Sequence, residues 1–473
     1  MRWIINSKRN FAGPVITLVA GTAFAQAIVL VARPILTRVY SPEEFGVLTV
    51  FVTLIAIAGT ITSGKYDDAL MLPEGRRRAF RLGAIAGILT IVGAGIAVVV
   101  AAITLRLGLV DTLWRPVVIA LPVAIACHGL AGMLELWHTR SERFALISAG
   151  RISQSGTAIS IQLVAGVAGA GSAGLVGGAL AGFVALATVM SFALWTDRDL
   201  FVSEKLRVWQ ATATRYRRFP IYSAPASLMN VLSSRLPVLA LAPLFGAGPV
   251  GWFGIAIGSI ALPLGMITGS VGQVFFVRAA AANRAGTLDQ LTATVLRRLV
   301  QIVAGPVAVL LVAGPQLFAF VFGPEWREAG VYAQYVAIWA GLAAIAPPLT
   351  RVFDVTERQR QDLIFSVILL ALQVIAVVIG IAFNDARVLI LAVGVFGALG
   401  RLVHLVGIGL SANVSSVRTL GILLSAALPA IPVVIPVLAA HIFLGDSEIL
   451  ITSIAALTLY GIFVSRQNLT PLA

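Results

Sequence analysis

Apolar runs of about twenty residues recur along this chain, separated by short charged or Gly/Pro-rich breaks. A run of 18 or more apolar residues is long enough to cross a roughly 30 Å hydrocarbon slab as a helix. Spanning strands would instead alternate apolar and polar residues over about ten positions. These runs are apolar on every face, so helices are expected. The pattern predicts helices over 12–32, 45–64, 82–104, 117–137, 150–168 and 173–195. Beyond a polar connector it predicts 220–244, 250–277, 295–313, 329–350, 362–383, 388–410, 419–444 and 448–464, fourteen in all. The fifth is the most diluted, because Arg151, Gln154 and Gln162 interrupt it.

The longest connector, TDRDLFVSEKLRVWQATATRYRRFP (196–220), divides helices 1–6 from helices 7–12. The expected organisation is an N-terminal lobe over 1–210, a C-terminal lobe over 211–412 and an appended helix pair over 413–473. YSPEEFG (40–46) and FGAGPVG (245–251) join consecutive spans at matching places in the two halves, as parallel repeats do.

Composition sharpens the class. Of 473 residues 59% are hydrophobic and 11% charged, with mean hydropathy +0.97, against about a quarter charged in soluble domains. The net charge of +14 raises the question of a nucleic-acid partner. With the N-terminus inside, however, 26 of the 34 Lys and Arg fall on the cytoplasmic side, 6 fall opposite, and Arg235 and Arg401 lie within apolar runs. That asymmetry is the positive-inside pattern, so the surplus belongs to topology and no nucleic-acid partner is expected. Arg2, Lys8 and Arg9, with Ala23-Phe24-Ala25 further on, imitate a secretory signal. The apolar run continues to Ala32, so an uncleaved first helix with both termini cytoplasmic is expected.

Several short motifs have local explanations. In SPEEF, Ser41 suits a helix N-cap, Pro42 the first turn and Glu44 the reciprocal position of a capping box. GPEWREAG (323–330) suits a similar role before the tenth helix. GAGSAG (169–174) matches a nucleotide-loop pattern by letters but follows no strand, and is read as a hairpin. Gly174, Gly178 and Gly182 form a ladder that lets helices approach closely. The four histidines and the single Cys127 show no metal-ligand spacing, and no cofactor is expected.

Charge at membrane depth carries the chemistry. Arg235 lies mid-span, Arg401 interrupts the twelfth helix, and Arg33, Arg38, Lys65 and Arg278 sit at or near span ends. An intramembrane arginine costs about 2.5–3.5 kcal/mol and normally faces protein or a wet cavity. Asp67, Asp68, Glu135 and Asp354 cluster near cytoplasmic ends, and none lies deep in a span. Cations without buried acids favour an anion, above all phosphate, which guanidinium binds through paired hydrogen bonds.

ARPILTRVYSPEEFG, KYDDALMLPE, YRRFPIYSAPASLMN and LFAFVFGPEWREAG together resemble the Wzx-type polysaccharide and lipopolysaccharide flippases. These are a branch of the multidrug/oligosaccharidyl-lipid/polysaccharide (MOP) exporter superfamily. The resemblance implies an all-α membrane protein with two six-helix lobes around a central cavity and, here, a C-terminal helix pair. It implies transport of an undecaprenyl-pyrophosphate-linked oligosaccharide across the bacterial inner membrane, with other polysaccharide-assembly membrane proteins as partners. It makes Arg33, Arg38, Lys65, Arg235, Arg278 and Arg401 cavity candidates, and Asp67 and Asp68 cytoplasmic-gate candidates. Multidrug export and flipping of a peptidoglycan precursor are the alternatives within the superfamily. Drug exporters usually carry an acid in the first helix, and residues 12–32 have none.

Overall fold

A computed structural model describes residues 12–200, 205–443 and 446–468. All its regular elements are helices, and thirteen helical segments among the described residues are long and apolar enough to cross a membrane. The chain is a multi-pass membrane protein. It forms two compact units, Met1–Leu232 and Ser233–Ala473.

The first unit contains α1 (Ala12–Leu36), α2 (Pro42–Thr62), the single turn α3 (Tyr66–Ala69), α4 (Arg76–Arg106) and α5 (Arg115–Arg140). It continues through α6 (Phe144–Val167) and α7 (Gly171–Phe192), then a 3₁₀ segment (Ala193–Leu200) and the short α8 (Leu206–Arg215). The capping box is present at the start of α2. The Glu44 amide donates to Ser41 Oγ (3.4 Å), and the Ser41 amide donates to Glu44 Oε2 (2.8 Å).

The diluted fifth span is α6, a full helix that falls outside the thirteen. It packs between α1 and α7, and its polar groups are used there. Ser148 Oγ donates to the Thr17 carbonyl (3.0 Å), and Gln162 Nε2 donates to the Leu175 carbonyl (3.0 Å). Tyr40, just ahead of α2, donates its hydroxyl to the Gln162 carbonyl (2.6 Å). The glycine ladder of α7 faces this same helix. A Cβ on Gly178 would lie 2.8 Å from the Ala158 carbonyl oxygen, and one on Gly182 would lie 2.8 Å from that of Gln154. The GAGSAG stretch is a hairpin, with Gly169 and Gly171 at φ +75° and +57°.

The second unit begins within α9 (Ala224–Phe245) and contains α10 (Ala247–Ala285), α11 (Leu288–Phe322) and α12 (Arg327–Leu349). There follow the short α13 (Arg351–Val355), α14 (Gln359–Phe383), α15 (Ala386–Ser411), α16 (Ser416–Ala427), α17 (Ile431–Phe443) and α18 (Asp446–Asn468). α10 and α11 are 39 and 35 residues long, well beyond the predicted spans 250–277 and 295–313. At 1.5 Å per residue both outreach a 30 Å core, so the predicted loop over 278–294 is largely helical, apart from a turn at Gly286 and Thr287. The last helices pack on α11. Val433 and Val437 of α17 and Tyr460 and Val464 of α18 form one core with Ala308, Val309 and Ala313.

Candidate functional site

The charged candidates fall into distinct settings. Arg33 lies one turn before the end of α1, with Nη1 buried and unbonded among the described residues. Arg401 lies mid-way along α15, and its Nε is likewise buried and unbonded. One turn further on, buried His404 stacks with Phe353 and Phe365 at centroid distances of 5.9 and 5.6 Å, and its Nε2 is 3.3 Å from Asp362 Oδ1. Arg235 is half-buried on α9. Arg38 and Arg278 have exposed side chains.

Lys65, Asp67 and Asp68 are brought together in the turn between α2 and α4. Lys65 takes the left-handed backbone conformation (φ +57°), and Nζ reaches Asp68 Oδ2 at 3.3 Å. Asp67 Oδ1 accepts from Ser63 Oγ at 2.9 Å. Burial raises the Asp67 carboxyl above its ordinary range, against the lowering pull of the Ser63 hydroxyl. The turn is fixed from outside. Tyr66 donates to the Ala213 carbonyl of α8 (3.1 Å), and Arg140 donates to the carbonyls of Leu70 (3.2 Å), Met71 (3.1 Å) and Pro73.

Sequence reading missed three groups. Asp197, read as part of a polar connector, is fully buried in the 3₁₀ segment after α7. Its Oδ1 accepts from Arg143 Nη2 (2.9 Å) and from Arg76, and its Oδ2 from Arg143 Nη1 (3.0 Å) and Trp137 Nε1 (2.8 Å). Glu135 holds Arg151 through two contacts, Nε–Oε1 at 3.1 Å and Nη2–Oε2 at 3.4 Å, and Arg151 Nη1 also donates to Thr22 Oγ1 (2.9 Å). The third group is the connector helix α8, placed by Arg81 Nη1 donating to Thr212 Oγ1 (2.9 Å) and by Tyr216 and Phe219 packing against the core of Tyr66, Ala69, Leu82 and Ala86. Glu135 and Arg151 were each conspicuous in the sequence but not as a pair, and the mixed charge of residues 196–218 was the other hint.

The arrangement separates two kinds of cation. Arg76, Arg143 and Arg151 are neutralised by carboxylates and knit helix ends together. Arg33 Nη1 and Arg401 Nε, by contrast, are buried and hydrogen-bond to nothing described.

A family model described as "Polysaccharide biosynthesis protein" matches residues 35–330. Among solved structures the chain is similar to the lipid II flippase MurJ in an inward closed conformation, with TM-score 0.75 and 12% identity, covering 96% of this chain and 99% of that one. An inward-facing multidrug resistance MATE family transporter of the MOP superfamily gives TM-score 0.57 at 15% identity, over 84% of this chain and 95% of the other. A MATE transporter from Vibrio cholerae gives 0.54 at 13% identity, over 89% and 100%. At these identities the likeness is one of fold. No curated protein matches the chain.

Proposed function

Because the chain belongs to the polysaccharide biosynthesis protein family, we propose that it is a flippase for an undecaprenyl-pyrophosphate-linked oligosaccharide. It moves this cargo from the cytoplasmic to the periplasmic leaflet of the bacterial inner membrane, by alternating access, for lipopolysaccharide or exopolysaccharide assembly. The observation that carries the reading is the pair of buried, unbonded guanidinium nitrogens on Arg33 and Arg401 within apolar helices. Family membership and a fold shared with a lipid II flippase support it.

The physical task explains the residue types. A pyrophosphate and its sugars cannot cross hydrocarbon unaided, since each unpaired polar group costs several kcal/mol to desolvate. Guanidinium presents a planar fork that matches phosphate oxygens, and it keeps its charge at all working pH values. Arg33 and Lys65 in the first unit, and Arg235 and Arg401 in the second, are each proposed as contacts for the anionic headgroup, while the polyprenyl tail stays in lipid. A membrane potential negative inside favours outward passage of an anion by about 2.3 kcal/mol per charge per 100 mV. The turn holding Lys65, Asp67 and Asp68 is assigned the gate on the cytoplasmic side.

The test is translocation in proteoliposomes loaded with a polyprenyl-pyrophosphate oligosaccharide, read by a membrane-impermeant lectin. Arg33→Gln, Arg235→Ala and Arg401→Gln should each slow translocation at least tenfold, equivalent to about 1.4 kcal/mol. Wild-type rates in all three would remove the arginines from the mechanism. The second reading, a peptidoglycan-precursor flippase, rests on the fold neighbour's own activity as a lipid II flippase. Lipid II supplied in the same vesicles separates the two: transport of lipid II and not of the oligosaccharide carrier would replace the first reading with the second.

A further inference from the structure

The helix α8 presents two unlike faces. One face docks inward: Thr212 is buried and accepts from Arg81, while the Ala213 carbonyl accepts from Tyr66. The other carries Arg207, Gln210, Ala211, Thr214 and Arg215, spaced i, i+3, i+4, i+7 and i+8, which places them on one side of the helix. With Arg217 and Arg218, just beyond the end of α8, they line a concavity of about 870 Å³. An ordinary solvated helix face mixes both signs of charge. This stretch does not, since residues 205–218 contain five cations and no carboxylate, and the next acid in the chain is Asp289. The flanking chain is built for an interface rather than for bulk water. Leu206 is 71% exposed, Trp195 74% and Tyr222 69%, and Trp and Tyr are the residues that gather at the headgroup level of bilayers.

We propose that α8 is an interfacial helix whose arginine face binds the phosphate headgroups of acidic phospholipids in the adjoining leaflet. That leaflet is the one the charge asymmetry assigns to the cytoplasm. The docking of α8 on Tyr66 and Arg81 then ties lipid binding to the turn that holds Lys65, Asp67 and Asp68. The inference stands whether or not the cargo is a glycolipid.

The experiment uses the full-length protein with Cys127, its only cysteine, replaced by Ala and with Gln210→Cys as reporter. Thr214→Cys is a second reporter on the same face. Each is reconstituted in nanodiscs of phosphatidylcholine alone or with about 30% phosphatidylglycerol, an anionic lipid that attracts cations near the surface. The rate of labelling by a membrane-impermeant maleimide is measured. Phosphatidylglycerol should slow labelling at least about threefold, and about 1 M salt should restore the rate by screening. Combining Arg207→Gln, Arg215→Gln and Arg218→Gln should abolish the lipid effect. An unchanged rate in phosphatidylcholine shows that the variant is folded. Equal rates in the two lipids, or protection that survives the triple substitution, would overturn the proposal. So would full protection by inorganic pyrophosphate in phosphatidylcholine, which would make the concavity a site for a free anion and not for bilayer lipid.

Discussion

Asp197→Ala is the most incisive perturbation of the first unit. The carboxylate is 0% exposed and receives bonds from Trp137, from both terminal nitrogens of Arg143 and from Arg76. Truncation leaves the Trp137 indole N–H buried without an acceptor, which costs about 1–3 kcal/mol. Breaking a wholly buried ion pair would add about 3–5 kcal/mol, but Arg143 and Arg76 keep 29% and 51% of their side chains in contact with solvent. Water replaces much of what they lose, and the pairing contribution falls toward that of a partly exposed bridge. The expected sum is about 2–4 kcal/mol. In a unit of 232 residues, with about 2–4 °C per kcal/mol, the apparent Tm should fall by roughly 4–16 °C. Asp197→Asn keeps an acceptor for Trp137 and should lose about half as much.

The assay is intrinsic tryptophan fluorescence in detergent at one fixed heating rate, since unfolding of such a chain is expected to be irreversible. A double-mutant cycle with Arg143→Met, read as apparent Tm at that rate, isolates the pair, and a non-additivity of about 2–4 °C is expected for groups in direct contact. An Asp197→Ala protein that melts within about 1 °C of wild type, or a null coupling with Arg143, would show that the node adds nothing to stability.

Adjacent glycines on α7 provide an internal control. A Cβ on Gly178 meets the Ala158 carbonyl and the Gln162 backbone, whereas one on Gly177 meets nothing within 4 Å. Gly178→Ala should therefore destabilise by about 1–3 kcal/mol through overpacking, Gly177→Ala should be neutral or stabilising, and equal melting of the two would refute the close α6–α7 approach. Ser41→Ala should cost about 1 kcal/mol by removing the cap of α2, measured by the same melt. Asp67 sets a pH dependence. Its folded pKa is raised by burial, so the charged form is penalised above the unfolded value of about 3.9. That penalty is relieved as pH falls through the folded pKa, so Tm should rise on mild acidification. Asp67→Asn should flatten this limb of the profile, and an identical profile in the variant would assign the dependence to another group.

What the sequence revealed, and what it hid, divides by the range of the physics involved. Span positions, the Ser41–Glu44 cap and the Gly174–Gly178–Gly182 ladder depend on residues a few positions apart, and they were legible. Arg235 and Arg401 stood out because a cation inside an apolar run is conspicuous, and Arg33 because it closes one. Arg38 and Arg278 stood out as cations near span ends; both side chains are exposed, and hydropathy does not register the direction in which such a side chain points. Asp197 was hidden, since its partners Trp137, Arg143 and Arg76 lie 60, 54 and 121 residues away. α6, predicted over 150–168 but with a diluted apolar signal, shows the same limit of hydropathy. A hydropathy reading weighs each side chain against lipid, but α6 lies between α1 and α7 and meets protein on both sides. Arg151 and Gln162, the residues that weakened its apolar signal, bind Glu135, Thr22 and the Leu175 carbonyl. Replacing Gln162 with Leu would improve the apparent fitness of α6 for the membrane, yet it would leave the Leu175 carbonyl without its donor.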